Sequence, residues 1–143
     1  MNIIKEAFKF AQALITRKKT DFIILHHRAG DGDVESIHAE HLKNGWAGIG
    51  YNLYIRKNGQ VFQGRPIDKV GSHCPNYNSI SVGICFEGNF EIEKMNDVQF
   101  KAGVEAIKYV KSLYKNTKTI GHREVYATKC PGKNFPLDKF KGV

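Results

Sequence analysis

The stretch Phe22-Ile23-Ile24-Leu25-His26-His27 is the part of the chain from which the fold is most directly inferred. A short apolar run followed by polar residues is typical of a buried strand, and this strand would deliver His26 at its end. Side chains alternate along a strand, so His27 points away from His26, which favours a structural role for His27. The sequence therefore predicts a buried strand with a chemically useful histidine at its end.

Two helices are predicted on the C-terminal side of this strand. Asp33 is suited to cap the first helix, which would end near Asn44-Gly45 with the glycine just past its last turn. Asn96 followed by Gln99 resembles a capping box that opens a longer helix. The apolar positions of this second helix recur with a period near 3.6 residues and are Phe100, Val104, Ile107, Val110 and Tyr114.

Further strands are predicted between and after these helices. Gly50–Ile55 and Gln60–Gln63 flank Asn58-Gly59, a pair that favours a β-hairpin with a type I′ turn. Residues 80–86 alternate between apolar and small or polar side chains, as in a strand with one core-facing side. A last short strand at Thr119-Ile120 leads towards a glycine and a histidine. Because strands alternate with helices, the fold class is predicted to be α/β.

The N-terminal residues 1–18 are predicted to contain an amphipathic helix, over residues 3–16, that packs on the domain's own core. A helix lying on a membrane surface is the less favoured interpretation. Charged residues interrupt the apolar stretch and no small-residue cleavage site follows, so this segment does not resemble a secretory signal. The helically spaced apolar residues are Ile3, Ile4, Ala7, Phe8, Ala11, Leu14 and Ile15, and the interrupting charges are Lys5, Lys9 and Arg17.

Length and composition fit one ordinary globular domain. The chain has 143 residues, of which 41% are hydrophobic and 25% are charged, and these values exclude a disordered, collagen-like or coiled-coil protein. No apolar run approaches the ~20 residues that a membrane span needs. The net charge of +8 favours a polyanionic partner, which leaves nucleic acid, an anionic membrane and an anionic wall polymer open.

Histidine and cysteine residues offer a candidate metal site. The odd number of cysteines, three, argues against a disulfide scaffold but not against a thiolate ligand. A catalytic zinc takes three protein ligands and keeps one position open for water. His26, His122 and Cys130 are candidates, although six histidines and three cysteines allow many other triplets.

A series of short motifs runs in a fixed order from residue 22 to about residue 136. They are Ile24-Leu25-His26-His27, 44–52 (Asn-Gly-Trp-Ala-Gly-Ile-Gly-Tyr-Asn), Arg56-Lys57-Asn58-Gly59, Gly64-Arg65, Val70-Gly71-Ser72-His73, Tyr77-Asn78-Ser79, Gly83-Ile84, Glu87-Gly88-Asn89-Phe90, Gly121-His122-Arg123-Glu124-Val125 and Cys130-Pro131-Gly132. Together they resemble the zinc-dependent N-acetylmuramoyl-L-alanine amidases of the phage lysozyme and peptidoglycan-recognition-protein superfamily. The resemblance implies a single catalytic domain over residues 1–143, with a family core at 22–136 and a central mixed β-sheet flanked by helices.

The resemblance also implies a ligand set and a catalytic pair. Its zinc ligands fall on His26, His122 and Cys130, which implies one zinc per chain. Its catalytic tyrosine falls on Tyr51, and its second catalytic position falls on Thr128, where some phage enzymes have lysine and amidase-active recognition proteins have threonine. Zinc lowers the pKa of bound water to ~7 and polarises the scissile carbonyl. Tyr51 would donate to the oxyanion or guide the water proton, and Thr128 would orient either species.

The function implied by the resemblance is hydrolysis of the amide bond between the lactyl group of N-acetylmuramic acid and L-alanine in peptidoglycan. We expect a monomeric phage or prophage endolysin, or a bacterial autolysin, made in the cytoplasm and reaching the cell wall through a holin or another route. The basic surface would favour anionic wall polymers. A non-catalytic muropeptide-binding module is the alternative, but in that branch the cysteine ligand is typically lost, whereas Cys130 is present. A basic nucleic-acid-binding domain lacks any recognised motif.

Four further residues are predicted to act around this site. His73 and Asn78 are expected to line the peptide groove, with a turn role for Asn78 as an open alternative. Glu124 is expected to orient a ligand histidine, with a surface salt bridge as the alternative. His41 falls at a family position that does not bind zinc, so it is expected to support the site from outside the ligand set. The family often has histidine where this chain has Asn52.

Overall fold

A six-stranded mixed sheet forms the centre of the computed structural model, which describes all residues from Met1 to Val143. The strands lie in the order β1-β4-β3-β5-β2-β6, and β3 with β4 is the antiparallel pair while all other neighbours are parallel. The strands are β1 (Ile3–Lys5), β2 (Phe22–His27), β3 (Leu53–Ile55), β4 (Val61–Gln63), β5 (Ser81–Phe86) and β6 (Lys118–Gly121), and the helices are α1 (Val34–Lys43), α2 (Asp97–Leu113) and α3 (Leu137–Lys141).

Strand β2 lies between β5 and β6, and its residues from Ile23 to His27 are buried. The predicted buried strand is therefore confirmed. Because β2, β5 and β6 are parallel, their carboxyl ends meet at one edge of the sheet. His26 lies at that edge, opposite Cys85 of β5. The same edge therefore receives the segments that follow all three strands.

The two faces of the sheet are covered differently. The back face packs against α2 and α3 in a cluster of 16 buried apolar residues that includes Leu25, Ile84 and Phe140. The front face packs against α1 in a cluster of five, with Tyr54 and Cys85 from the sheet. Cys85 pairs with both His26 and Tyr54, so the alternation of side chains places His26 on the front face.

The predicted N-terminal helix is wrong. Ile3–Lys5 form β1 beside β4, and no helix occurs between residue 6 and residue 18. The apolar residues of this segment have separate environments: Ile3 packs on the back-face cluster, Phe8 on the front-face cluster, and Ile15 is 69% exposed. Although these apolar residues are spaced as in a helix, they do not share one face in the structure. The pairing of Ile3–Lys5 with β4 overrides the local preference for a helix.

The hairpin prediction is confirmed, but its turn type is wrong. Gly59 has φ +88°, whereas Asn58 is not in the left-handed region that a type I′ turn also requires. The Gly59 N–H donates to the Arg56 carbonyl, and the Arg56 N–H donates to the Gln60 carbonyl. This pattern is a three-residue loop, a type I turn followed by a left-handed glycine.

Both predicted helices are confirmed, with their caps only partly as expected. The Asp33 and Asn96 side chains accept from Ser36 N–H and Gln99 N–H, and Gly45 follows α1 with φ +87°. The Gln99 side chain does not complete a capping box. Its amide instead donates to the backbone carbonyls of Ile55 and Glu87 and ties α2 to the sheet.

Strand β5 is buried at all six positions rather than on one side. The alternating sequence predicted burial on one side only, and this prediction is wrong because β5 is an interior strand covered on both faces. The residues on its second face are small or polar, namely Ser81, Gly83 and Cys85. The three cysteines are free thiols, as expected. None of the helices combines the length and apolar character required to cross a lipid bilayer.

Candidate metal centre and cleft

A cleft of about 700 Å³ opens at the carboxyl edge of β2. Segments from five parts of the chain form its walls: the end of β2, the loop before β3, the loop before β5, the loop after β5 and the loop after β6. The sequence-predicted ligand, catalytic and groove residues all line it, and these are His26, Tyr51, His73, Asn78, His122, Thr128 and Cys130. The structure therefore collects these predicted residues in one place.

The three candidate ligands meet at the floor of this cleft. His26 is the penultimate residue of β2, His122 follows the neighbouring strand β6, and Cys130 lies in the loop beyond. One ligand atom from each residue lies within 4.8 Å of the others. Cys130 Sγ is 3.8 Å from His26 Nδ1, and the two imidazole rings are 4.5 Å apart at their centroids. Parallel pairing of β2 with β6 brings the two histidines together.

These residues fit a zinc ion. Two ligand atoms bound to one tetrahedral zinc at about 2.1 and 2.3 Å would lie about 3.6 Å apart, close to the 3.8 Å between Cys130 Sγ and His26 Nδ1. His122 Nε2 is buried and has no hydrogen-bond partner in the protein, as expected of an atom that awaits a ligand. Two imidazoles and a thiol also form a donor set that suits zinc.

Burial sets the protonation of the candidate ligands. It lowers the pKa of His26 and of His122, so both rings are neutral and each offers a lone pair. Burial also raises the pKa of the Cys130 thiol to about 12. The His27 backbone N–H lies 3.4 Å from the sulfur and acts against this rise. A metal ion would favour the thiolate further, because metal binding displaces the proton.

Tyr51 is positioned by the segment that precedes it. The N–H groups of Ile49 and Gly50 donate to Nδ1 of His38 and of His41, at 3.0 and 2.9 Å. The ring of Tyr51 lies 5.1 Å from that of His26. Burial raises the pKa of Tyr51 well above its ordinary value, so its phenol remains a hydrogen-bond donor. His41 thus supports the tyrosine segment and contacts no candidate ligand.

Thr128 has one defined contact, in which its Oγ1 accepts from the Cys130 N–H at 3.2 Å. The hydroxyl therefore holds the loop that carries the candidate thiolate. Its remaining donor is available to the cleft that Thr128 lines.

His73 and Asn78 line the cleft, but their polar atoms are engaged inside the protein. His73 is 9% exposed, and its Nδ1 lies 2.8 Å from Nε2 of His26. Asn78 Oδ1 accepts from the N–H groups of His73 and Cys74, at 2.8 and 2.9 Å. Asn78 therefore has the turn role that was the alternative, and His73 also contacts a candidate ligand. Both residues line the cleft, and their contact with a bound peptide stays a prediction.

Glu124 does not orient a ligand ring, contrary to expectation. One carboxylate oxygen accepts from the Gly121 N–H at 2.7 Å, and the other pairs with Lys141 at 2.6 Å. The salt bridge is therefore the correct alternative. The carboxylate closes the turn that carries His122 and ties it to α3.

Two buried polar residues that do not line the cleft, Glu87 after β5 and Asn52 after Tyr51, were given no role by the sequence reasoning. Glu87 accepts from Arg56, from the Lys57 N–H and from the Gly32 N–H. Burial alone would raise its pKa, but these bonds lower it to about 2. Asn52 is fully buried, accepts from the Gly83 N–H and donates to two backbone carbonyls. The hydrogen-bond partners of Glu87 and Asn52 lie far away in sequence. In the sequence, Glu87 was visible only as part of the motif Glu87-Gly88-Asn89-Phe90, and Asn52 only as a difference from the histidine that the family often has there.

Comparison with known proteins agrees with this geometry. The sequence profile of the family described as N-acetylmuramoyl-L-alanine amidase matches residues 16–133. The endolysin of Klebsiella phage KP32 is 33% identical over 133 residues, which cover 87% of each chain. Peptidoglycan-recognition protein SC2 of Drosophila melanogaster is 33% identical over 127 residues, which cover 80% of this chain and 69% of the relative.

Solved structures share the fold over nearly the whole chain. N-acetylmuramoyl-L-alanine amidase LysC from Clostridium intestinale URNW superimposes with a TM-score of 0.96 at 34% identity, covering 99% of this chain and 96% of the other. A complex of peptidoglycan recognition proteins LCa and LCx with tracheal cytotoxin gives a TM-score of 0.90 at 28% identity, covering 99% and 95%. The predicted α/β fold with a mixed sheet is therefore confirmed.

Proposed function

The chain belongs to the N-acetylmuramoyl-L-alanine amidase family, and from this premise we propose that it is a zinc-dependent hydrolase of peptidoglycan. The bond cleaved is the amide between the lactyl group of N-acetylmuramic acid and the L-alanine of the stem peptide. The observation that carries the proposal is the convergence of His26, His122 and Cys130 within 4.8 Å at the floor of the cleft.

His26, His122 and Cys130 would hold one zinc ion per chain. The zinc would supply a Lewis acid that activates water near neutral pH and polarises the scissile carbonyl. The protein holds the two imidazoles neutral through burial, and it directs a backbone N–H at the sulfur. Burial thus prepares the two imidazoles for metal binding, whereas the Cys130 thiol, with a pKa raised to about 12, would lose its proton when a metal binds.

Tyr51 donates a hydrogen bond to the carbonyl oxygen as negative charge develops on it. Its raised pKa keeps the phenolic proton in place, and the bonds from Ile49 and Gly50 to two helix histidines fix the segment that presents it. Such preorganised donors contribute most where charge appears in the transition state. Thr128 orients the attacking water with its hydroxyl. The leaving L-alanine amine takes up the proton that the water loses, by way of Tyr51 or solvent.

We place this activity at the bacterial cell wall, as that of a monomeric endolysin or autolysin. Relatives named as endolysins support that assignment. The net charge of +8 supports attraction to anionic wall polymers. A recognition protein without catalysis is the second candidate, which the names of other relatives favour. The presence of Cys130 among the candidate ligands favours the enzyme.

Mass spectrometry of fragments released from defined peptidoglycan tests both candidates. The enzyme predicts free stem peptides that begin with L-alanine, together with glycan that keeps its lactyl group. Pull-down on the same peptidoglycan measures binding separately. Binding without release would establish the recognition module, and release of any other fragment would assign a different bond and refute the proposal.

A further inference from the structure

The ring nitrogen of His26 that does not face Cys130 has a partner of its own. His26 Nε2 lies 2.8 Å from His73 Nδ1, and His73 Nε2 lies 3.3 Å from the Ser81 hydroxyl. We propose that Ser81 and His73 form a hydrogen-bond relay that fixes the tautomer of His26, so that its Nδ1 lone pair faces the metal position. His73 is then a positioning residue. The inference rests on the proposed function for its metal, although the hydrogen bonds of the relay join only side chains and backbone of the protein itself.

The direction of each hydrogen bond follows from the last group in the chain. Ser81 donates its single proton to the Tyr77 carbonyl at 2.7 Å, because a carbonyl can only accept. Ser81 Oγ must therefore accept from His73 Nε2–H. A neutral imidazole carries one N–H, so His73 Nδ1 is an acceptor and receives the proton of His26 Nε2. His26 Nδ1 is left without a proton and lies 3.8 Å from Cys130 Sγ.

Both histidines are buried, at 1% and 9% exposure for His26 and His73. No carboxylate bonds to either ring, so nothing close by would stabilise a charged imidazolium. A buried imidazole without a carboxylate partner is expected to be neutral, as the proton count above requires.

The position of the His73 ring is built into the surrounding backbone. A Cβ atom at Gly83 or Gly71 would lie 2.7 Å from a ring carbon of His73, so only glycine fits at either place. Asn78 holds the His73 backbone, and Asn52 holds the Gly83 N–H. A residue that only lines a groove does not need such close packing. The packing around His73 instead holds its imidazole ring at a fixed angle to His26.

NMR spectra of the full chain, prepared without metal and with 15N-labelled histidine, would show which ring nitrogens of His26 and His73 carry protons. Long-range correlations between ring nitrogens and ring protons distinguish the two neutral tautomers. We expect the Nε2–H form for His26 and for His73, and we expect Ser81→Ala to broaden or mix the His73 tautomer. A predominant Nδ1–H form of His26 would overturn the relay.

Zinc titration against a competing chelator measures the consequence. Loss of a partner that orients a metal-bound histidine weakens metal binding by about 10–100-fold, which is the loss expected for His73→Ala. His73→Asn keeps an acceptor near the Nδ1 position and should recover most of the affinity. Ser81→Ala should give a smaller loss. Thr117→Val is the control, a buried polar residue with the same 9% exposure outside the relay and the cleft, and should bind zinc as the wild type does.

The two measurements separate the relay from the function on which it rests. A wild-type chain that takes up no zinc refutes the proposed function, and the tautomer spectra still decide the relay. Equal zinc affinity of the wild type and His73→Ala, with both folded, refutes the positioning role. Equal losses for His73→Ala and His73→Asn refute it as well, because a cavity rather than a lost acceptor would then explain both.

Discussion

The two faces of the central sheet differ most at the carboxyl end of β2, where consecutive residues of one strand face an apolar core and a polar cleft. On the back face, Leu25 of β2 joins a 16-residue apolar cluster under α2 and α3. On the front face, the next residue, His26, meets three other polar or ionisable side chains at the cleft: His73, His122 and Cys130. Because side chains alternate along β2, Leu25 contributes to the apolar core on one face and His26 to the candidate metal site on the other.

This difference predicts which substitutions should change the stability of the protein and which should change its activity. A change on the back face should lower the free energy of unfolding and leave the site geometry intact while the chain stays folded. A change of a polar cleft residue on the front face should remove activity at little cost in stability, because His26, His73 and Cys130 belong to none of the buried apolar clusters.

The largest effect is expected on the front face, for Cys130→Ser. A serine hydroxyl is a far weaker zinc ligand than a thiolate, so hydrolysis of a soluble muropeptide should be abolished. The free energy of unfolding of the metal-free chain should change by less than about 1 kcal/mol. Activity assays and urea titration measure the two quantities. Cys74→Ser, a thiol that lines the same cleft outside the ligand set, should retain activity.

On the back face, Phe140→Ala should lower the free energy of unfolding by about 3–5 kcal/mol, since Phe140 is fully buried and its loss leaves a cavity. Phe8, which is half-buried on the front face, is the matched position, and Phe8→Ala should cost about 1 kcal/mol. Denaturant titrations of both variants provide the numbers. Equal costs on the two faces would contradict the proposed division.

Tyr51→Phe tests the front face without touching a candidate ligand. Loss of one preorganised donor should lower turnover by about 10²–10³, with zinc content and stability unchanged. Rates on a soluble muropeptide, normalised to bound zinc, give the measurement. Wild-type turnover at full zinc occupancy would remove Tyr51 from the mechanism.

Glu87 sharpens the comparison because it connects the front loop at Gly32 with the hairpin at Arg56. Its pKa is lowered from 4.5 to about 2, so its contribution to stability is present above pH 4.5 and is lost as the pH falls towards 2. Wild-type stability should therefore fall more steeply over this window than that of Glu87→Gln. Thermal unfolding at pH 2.5, 3.5, 4.5 and about 6 records the two slopes. Parallel slopes would show that other carboxylates dominate.

The smallest effect is expected for Thr128. Thr128→Ala should lower turnover less than Tyr51→Phe, because a neutral hydroxyl that orients water contributes less than a donor to the oxyanion. Thr128→Lys should keep measurable activity and should exceed Thr128→Ala, if the position is the one that lysine occupies in some phage enzymes. The comparison uses the same muropeptide and zinc check. A lysine variant worse than the alanine variant would refute the role.

Predictions from the sequence succeeded where the signal was local. The strand before His26 and the caps at Asp33 and Asn96 depend on a few adjacent residues, and each was found. The N-terminal helix failed because Ile3–Lys5 pair with Val61–Gln63, a partner that no local pattern reveals.

The candidate site divides in the same way. Spacing left many metal triplets open, and the family resemblance selected the one that the structure brings together. The contact of His73 with His26 was missed because it depends on space at Gly71 and Gly83 and on the hydroxyl of Ser81. These residues meet His73 only after the strands have paired.

The order of the strands also has a consequence for how the protein is made. Strand β2 is synthesised early, but its partners begin at Ser81 and Lys118, so the interior of the sheet depends on contacts between distant parts of the chain. Such topologies fold more slowly than those built from local contacts. His26 and Cys130 are separated by 104 positions in the chain, so the proposed metal centre forms only after Cys130 has been synthesised and the distant strands have paired.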